Sequence, residues 1–158
     1  MKKLLTLSFF LMVAVGVSLA QKPKVAPNFK LQAHDGKVIE LAKLKGKVVV
    51  LNFWATWCGP CRREIPGFME VYNQYKDKGV VIVGVSLDQE GWEVVRPYID
   101  RAKITYPIVV GDGELAEAYQ LPNAIPATYI VDKKGNITKS HVGYMSKSDL
   151  EGAVKSVL

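Results

Sequence analysis

The chain has few of the residues that hold proteins together through covalent bridges or metal ions: 158 residues include only two cysteines and two histidines. Two cysteines exclude a disulfide-dense scaffold, which needs several bridges. The histidines, His34 and His141, fall in a predicted turn and a predicted strand without a ligand spacing, so no metal site is expected. No internal repeat or low-complexity tract is present, and the composition is that of one ordinary globular domain.

Charge of one sign is not concentrated anywhere in the sequence. The formal net charge of +6 falls to +4 if Lys2 and Lys3 are removed with a targeting segment. The other basic residues are interleaved with acidic ones, and no predicted face combines them with stacking aromatic residues. We therefore expect a solvated surface and no nucleic-acid partner.

Residues 1–20 have the pattern of an export signal. A basic start is followed by an apolar run and by small residues before a polar segment (Lys2, Lys3, Leu4 to Leu19, Ser18, Ala20). The alternative to a cleaved signal peptide is an N-terminal membrane anchor, because the run approaches the ~17 residues of a short membrane span. Both predict an exported, periplasmic or extracytoplasmic protein, in a compartment where disulfides persist. Residues 21–27 are predicted to be a linker and residues 28–158 a single domain.

Residues 48–66 carry the strongest chemical pattern in the chain. An apolar, β-branched run leads into Cys58-Gly59-Pro60-Cys61, and a helix-forming stretch follows, which predicts two thiols where a buried strand meets a helix. The first amides of a helix are unpaired and lie at its positive end, so a thiolate is favoured there. In such a site the pKa of a cysteine can fall from ~8.5 to roughly 3.5–7.5. We predict that Cys58 is the nucleophile and Cys61 the resolving thiol; Gly59 permits the tight turn and Pro60 suits the first helical turn.

A structural disulfide and a metal site are the alternatives for this cysteine pair. A bridge between Cys58 and Cys61 closes a ring of only four residues. The chain-entropy model gives such a ring about 2 kcal/mol, less than the ~3 kcal/mol of a fifteen-residue loop. A bridge between distant segments would stabilise the fold more, so redox chemistry is the favoured interpretation.

Around this motif the sequence predicts alternating strands and helices. Asp35-Gly36 marks a β-hairpin, Pro66 is expected to kink the helix after Cys61, and Pro97 leaves the start of the next helix open. The second buried strand should be parallel to the first through a right-handed crossover. The predicted elements are strands at 29–32, 38–41, 47–54, 80–87, 106–110, 127–131 and 137–142, and helices after Cys61, around Trp92 to Ala102, at 114–119 and after Ser146.

The string WATWCGPC and the segment Ile125-Pro126-Ala127-Thr128 before a terminal hairpin resemble the thioredoxin superfamily. The N-terminal hairpin, the segment 88–119 and the export signal make residues 26–158 similar to the extracytoplasmic TlpA/ResA-like thioredoxins. This resemblance implies an α/β thioredoxin fold: a central mixed β-sheet flanked by helices, with an N-terminal β-hairpin and an inserted helix–strand segment.

The resemblance also implies roles for individual residues. Cys58 would attack and Cys61 would resolve, while Pro126 would be a cis-proline facing the disulfide; an ordinary trans turn proline is the alternative. The backbone of Ile125 would pair with an extended substrate, and Trp57, Gly59 and Pro60 would complete the substrate-binding surface. Trp57 is expected to pack beside the thiol and partly shield it, and Trp54 to be structural.

One departure from thioredoxin concerns a buried acid before its Phe-Trp pair, where this chain has Asn52. Glu64, three residues after Cys61, matches the acid of the ResA-like subgroup and would lie on the same helical side as Cys61. Burial would raise its pKa, so that Glu64 exchanges a proton with Cys61. A surface glutamate favoured by the helix dipole is the alternative.

The resulting expectation is a thiol–disulfide oxidoreductase with no cofactor beyond the Cys58–Cys61 disulfide. Gly-Pro between the cysteines, and the basic residues after them, favour a reductant of protein disulfides. Its partners would be protein thiol or disulfide substrates and a membrane or extracytoplasmic electron donor, and the resemblance implies a place in cytochrome c maturation.

Three other functions are weighed against this one. A peroxiredoxin-like peroxidase shares the start Ala26-Pro27-Asn28-Phe29 but needs Pro and Thr where this chain has Leu51 and Ala55. A copper metallochaperone of this fold uses CxxxC spacing plus a histidine, whereas the spacing here is CxxC. A non-catalytic thioredoxin-like module that holds unfolded chains would keep its function without Cys58 and Cys61.

Overall fold

The computed structural model describes residues 23–158, so the predicted export segment lies outside the described residues. The strands are β1 (Lys24–Val25), β2 (Lys30–Gln32), β3 (Val38–Glu40), β4 (Val48–Trp54), β5 (Val80–Ser86), β6 (Ile108–Val110), β7 (Ala127–Val131) and β8 (Asn136–Val142). The helices are α1 (Gly59–Tyr75), α2 (Trp92–Ala102), α3 (Gly113–Ala118) and α4 (Lys147–Lys155), with 3₁₀ turns at Leu41–Leu44 and Lys76–Lys78. In this part of the chain, no helix is long and apolar enough to cross a membrane.

Six strands form one mixed sheet in the order β1-β8-β7-β4-β5-β6. β4 lies near its centre, parallel to β5 and antiparallel to β7, as the strand–helix–strand order predicts. β2 and β3 form a separate hairpin, and Ala33 bridges it to Val109 of β6. The predicted α/β thioredoxin fold, with a central mixed sheet and an N-terminal hairpin, is confirmed.

Side chains of β4 alternate between two hydrophobic layers, because successive residues of a strand point to opposite faces. Val48, Val50 and Trp54 pack in the layer that contains α1, α2 and α4. Val49, Leu51 and Phe53 pack in the layer formed with the hairpin and α3. All seven residues of β4 are buried, so the strand holds whatever follows Trp54 in a fixed position.

Two sequence predictions differ from the structure, and the structure decides a third point that the sequence left open. The range 21–27 contains β1, whose Lys24 and Val25 pair with β8, so this part of the chain is attached to the sheet rather than a free linker. α2 begins at Trp92 and continues through Pro97, which settles its start. The strand predicted from Tyr106 begins only at Ile108, because Pro107 has no N–H and only its carbonyl pairs with β5, through the N–H of Gly84.

Candidate active site

The two cysteines lie where β4 passes into α1, as the sequence predicts. Cys58 is the N-cap of α1 in an extended conformation, and its Sγ accepts a hydrogen bond from the backbone N–H of Cys61 at 3.2 Å. Pro60 occupies the first turn, where a missing N–H costs nothing. The side chain of Cys58 therefore takes the place that a capping oxygen occupies in other helices, where negative charge is favoured.

Cys58 and Cys61 are joined by a disulfide and differ in accessibility. Cys61 is fully buried, whereas Cys58 is 5% exposed. Of the two residues only Cys58 has exposed surface, which agrees with the order of attack and resolution predicted from the sequence.

The peptide bond between Ile125 and Pro126 is cis, so the alternative of an ordinary trans proline is wrong. The carbonyl oxygen of Ile125 lies 3.7 Å from Sγ of Cys58. Within residues 23–158, neither backbone group of Ile125 has a backbone hydrogen-bond partner. Both are therefore available to an extended polypeptide beside the disulfide, and pairing of this kind stays a prediction.

A groove of about 500 Å³ opens beside the disulfide; we call it the disulfide groove. Its lining carries no charged side chain and consists of Trp57, Cys58, Gly59, Pro60, Leu87, Pro122, Asn123, Ala124 and Ile125. Trp57 is 68% exposed and lines the groove together with Cys58, and its predicted partial shielding of the sulfur stays a prediction. Pro126 is buried and does not line the groove, whereas Ile125, Gly59 and Pro60 do.

Glu64 lies inside the protein, 2% exposed, so the interpretation of a surface glutamate is wrong. Its Oε1 accepts a hydrogen bond from Nδ2 of Asn52 at 2.7 Å, and its Oε2 accepts one from the backbone N–H of Met145 at 3.0 Å. Burial raises the pKa of Glu64 to about 7, although the two hydrogen bonds act in the opposite direction. The predicted direction of the shift is confirmed, and proton exchange with Cys61 stays a prediction.

Asn52 connects Glu64 to the neighbouring strand. It is 1% exposed, and its Nδ2 also donates to Oγ1 of Thr128 on β7 at 3.2 Å. Its Oδ1 is buried and has no hydrogen-bond partner within the described part of the chain. The residue that replaces the acid of thioredoxin thus binds Glu64 through an N–H group, and it cannot itself take up a proton at ordinary pH.

Sequence reasoning missed a second buried carboxylate, Asp88, which is 3% exposed. It accepts hydrogen bonds from the backbone N–H of Thr56 at 3.0 Å, from Oγ1 of Thr56 at 2.6 Å and from Oγ of Ser86 at 2.8 Å. These bonds fix the residue that stands two positions before Cys58. The available signal was an aspartate just after a buried strand that was predicted to be parallel to β4.

Trp54 is 1% exposed and its ring lies 5.4 Å from that of Tyr98, so its predicted structural role is confirmed.

Both histidines bond to backbone: Nδ1 of His34 accepts from the N–H of Ile108 at 3.2 Å, and Nε2 of His141 lies 3.1 Å from the carbonyl of Tyr144. From residue 23 onward, no group of three His, Cys, Asp or Glu side chains is placed to hold a metal ion.

Comparison with known proteins identifies the family. The profile of the AhpC/TSA family matches residues 23–140. The thiol-disulfide oxidoreductase ResA of Bacillus anthracis is 36% identical over 134 residues, which are 85% of this chain and 77% of that protein. The thioredoxin-like protein YneN of Bacillus subtilis is 39% identical over 132 residues, which are 83% and 77% of the two chains.

Solved structures give the same result. A thiol:disulfide interchange protein of the thioredoxin family from Chlorobium tepidum has a TM-score of 0.80 and 34% identity, with 87% of this chain and 98% of that chain covered. StoA of Bacillus subtilis has a TM-score of 0.72 and 32% identity, with 83% and 98% covered. With its CxxC pair at the start of α1, the chain belongs to the AhpC/TSA family and is a thiol–disulfide oxidoreductase of the ResA and thioredoxin type.

Proposed function

We propose that the protein works outside the cytoplasm as a reductant of protein disulfides, with no cofactor other than its own cysteine pair. The observation that carries the proposal is the placement of Cys58: its sulfur caps α1 and lines an uncharged groove beside the unpaired backbone of Ile125. An extended polypeptide can pair with Ile125 and present its disulfide to that sulfur.

The proposed reaction is a two-electron exchange in two steps. The thiolate of Cys58 attacks one sulfur of the substrate disulfide; that S–S bond breaks, a mixed disulfide forms, and the released sulfur takes up a proton. Cys61 then loses its proton and attacks Sγ of Cys58, which forms the Cys58–Cys61 disulfide and releases the second substrate thiol. A membrane or extracytoplasmic dithiol donor returns the two electrons.

Glu64 is proposed as the group that takes the proton of Cys61. Cys61 is fully buried, so its proton has no direct route to bulk water. Glu64 stands three residues further along α1, and burial raises its pKa to about 7, so near neutral pH it can both accept and return a proton.

Two observations support the proposed location of the protein and its proposed role in cytochrome c maturation. The pattern of residues 1–20 supports export, either with a cleaved signal peptide or with a membrane anchor. The resemblance to ResA-type proteins supports a role in supplying electrons to cytochrome c maturation. The sequence of the N-terminus of protein recovered from the host tests the first point, since cleavage should leave Gln21 first.

The decisive experiment on direction is the equilibrium reduction potential of the cysteine pair against glutathione or dithiothreitol. A reductant should have a value of about −250 mV or below, and a potential near about −120 mV would show an oxidant. The Cys58→Ser variant should lose disulfide reduction. Binding of unfolded chains that survives in both Cys58→Ser and Cys61→Ser, with the biological function intact, would instead show the non-catalytic binding module.

The role of Glu64 is tested with Glu64→Gln. Loss of a general base should slow resolution of the mixed disulfide by about 10²-fold near pH 7 and shift the pH profile of Cys61 ionisation. Glu117→Gln, at an exposed position of α3, is the matched control and should keep the wild-type rate. Unchanged rates and unchanged Cys61 ionisation in Glu64→Gln would end the proposal for this residue.

A peroxidase is the other enzyme that the family name invites. The chain has Leu51 and Ala55 where that chemistry needs Pro and Thr, so we expect no stoichiometric consumption of peroxide. Consumption of one equivalent of hydrogen peroxide per reduced protein would overturn this expectation.

A further inference from the structure

A second groove lies on the other side of Trp57 from the disulfide groove. It has a volume of about 350 Å³, and its charged and aromatic lining consists of Trp57, Arg62, Glu93, Tyr98 and Arg101. We call it the arginine groove. Trp57 lines both grooves and is 68% exposed, so its ring stands between them as a ridge next to Cys58.

The arginine groove carries an excess of positive charge. Arg62 and Arg101 are exposed, and within residues 23–158 neither belongs to an ion pair. Glu93 is the only carboxylate among the residues that line it. Burial raises the pKa of the Tyr98 hydroxyl, and the positive charges of Arg62 and Arg101 oppose this.

The guanidinium groups are held by different elements of the fold. Arg62 directly follows Cys61 in α1, and Arg101 lies in the last turn of α2, 5.7 Å from the Tyr98 ring. The Tyr98 ring in turn packs against the buried Trp54 at 5.4 Å, so the wall of the groove is part of the core. The backbone positions of both arginines are therefore set by helices that pack on the core beside the disulfide.

The two grooves offer a substrate opposite chemistry on the two sides of Trp57. The disulfide groove has no charged lining residue, whereas the arginine groove has two positive charges against one negative charge. A polypeptide whose disulfide reaches Cys58 extends on both sides of that sulfur. Its flanking side chains therefore meet an uncharged lining on one side, with Arg63 close to Gly59, and the positive arginine groove on the other.

We propose that the arginine groove binds a carboxylate of the protein substrate, so that the preferred substrates carry acidic residues on one flank of the target disulfide and neutral, apolar residues on the other. This inference rests on the proposed function and adds the substrate class. Exposed ion pairs contribute modestly, and complementary charges also raise association rates. Two arginines therefore predict about a 3- to 10-fold preference for the acidic substrate.

The test uses the full chain in its reduced form and three peptides with the same disulfide. One flank carries two glutamates, two glutamines or two lysines, and the other flank is constant and apolar. We expect kcat/KM to fall in that order, and the differences to shrink as the salt concentration rises from about 0.05 M to about 0.5 M, because salt screens exposed charges. A peptide with the glutamates moved to the other flank should lose the preference.

Two variants should move the preference in opposite directions. Arg101→Glu reverses one charge and should favour the lysine peptide over the glutamate peptide. Glu93→Gln removes the opposing carboxylate and should increase the ratio of glutamate-peptide to glutamine-peptide rates, a gain that misfolding cannot produce. The matched control is Lys139→Glu, the same charge change at an exposed position of β8, which should leave the ratio unchanged.

Equal rates for the three peptides at low salt, or a ratio that Arg101→Glu and Glu93→Gln leave unchanged, would overturn the inference and leave the proposed function standing. Failure to reduce any peptide, while dithiothreitol still reduces the Cys58–Cys61 disulfide, would overturn the proposed function and the inference with it.

Discussion

Two buried carboxylates near Cys58, Glu64 and Asp88, differ in what surrounds them. Their exposure is almost equal, at 2% and 3%. Asp88 receives hydrogen bonds from the backbone and hydroxyl of Thr56 and from the hydroxyl of Ser86. Glu64 receives one from Asn52 and one from Met145, one for each oxygen.

The comparison shows that different hydrogen-bond donors give two carboxylates of similar burial different roles. The donors to Asp88 come from the turn before Cys58 and from the end of β5, so this carboxylate connects that turn to the sheet. For Glu64, desolvation outweighs its two hydrogen bonds and raises the pKa to about 7. One carboxylate therefore holds a structure in place, and the other can change its charge near neutral pH.

The largest effect is expected where the structural carboxylate is removed. Asp88→Ala leaves the buried hydroxyl of Ser86 and the partly buried N–H and hydroxyl of Thr56 without their acceptor. An unsatisfied buried group costs about 1–3 kcal/mol, so the free energy of unfolding of the oxidised protein should fall by about 3 kcal/mol in a urea titration.

Asp100→Ala is the control for Asp88→Ala, since Asp100 is an exposed aspartate of α2. Its effect should stay within about 0.5 kcal/mol. A loss below about 1 kcal/mol in Asp88→Ala would mean that water replaces the carboxylate easily. The loop would then be held by other contacts, and the contrast with Glu64 would disappear.

The role of Glu64 was predicted and that of Asp88 was missed because Glu64 is close to the CxxC motif in the sequence and Asp88 is not. Glu64 stands next to the CxxC motif on the same helix, so its position follows from helical spacing. The partners of Asp88 and of Glu64 are brought together only by the sheet: Thr56 is 32 residues from Asp88, and Met145 is 81 residues from Glu64. Local pattern predicts which residue types are near the motif, but the hydrogen bonds that decide their roles are tertiary.

The same limit explains the other outcomes of the sequence analysis. The strands, the hairpin and the capping of α4 by Ser146 follow from local periodicity and turn residues, and the structure contains them. The two-residue strand β1 is too short to have a period. Trp57 lies in a loop, where no periodicity tells which side faces solvent, so its exposure of 68% could not be predicted. Arg101 lines the arginine groove only because α2 lies beside the turn that contains Thr56 and Trp57.

The second effect is the pH dependence of stability that Glu64 should cause. Its pKa is 4.5 when unperturbed and about 7 in the folded protein, so between these values the folded state binds more protons than the unfolded state. The free energy of unfolding should therefore fall as the pH rises from about 4.5 to about 7, at about 1.4 kcal/mol per unit of pKa difference. Glu64→Gln cannot titrate and should be about 3 kcal/mol more stable than the wild type at pH 8, with little difference at pH 4.

Unfolding of the oxidised protein in urea at a series of pH values measures this directly. The exposed substitution Glu117→Gln serves as the reference and should follow the wild-type curve throughout. If Glu64→Gln shows the same fall between pH 4.5 and pH 7 as the wild type, the slope belongs to another group and Glu64 is not the titrating carboxylate.

The smallest effect is expected at Thr128, where a substitution can alter the hydrogen bonds of Asn52 without removing the charge of Glu64. Its hydroxyl oxygen accepts from Nδ2 of Asn52 at 3.2 Å, and Asn52 also donates to Glu64. Thr128→Val removes only this acceptor, with little change of shape, and should cost about 1 kcal/mol at every pH. Because Thr128 makes no hydrogen bond to Glu64 among the described residues, the slope between pH 4.5 and pH 7 should stay as in the wild type. The slope is measured in Thr128→Val alone and combined with Glu64→Gln in a double-mutant cycle. A changed slope in Thr128→Val would show that the hydrogen bond between Thr128 and Asn52 affects the carboxylate of Glu64. The charge of Glu64 would then depend on these hydrogen bonds as well as on burial.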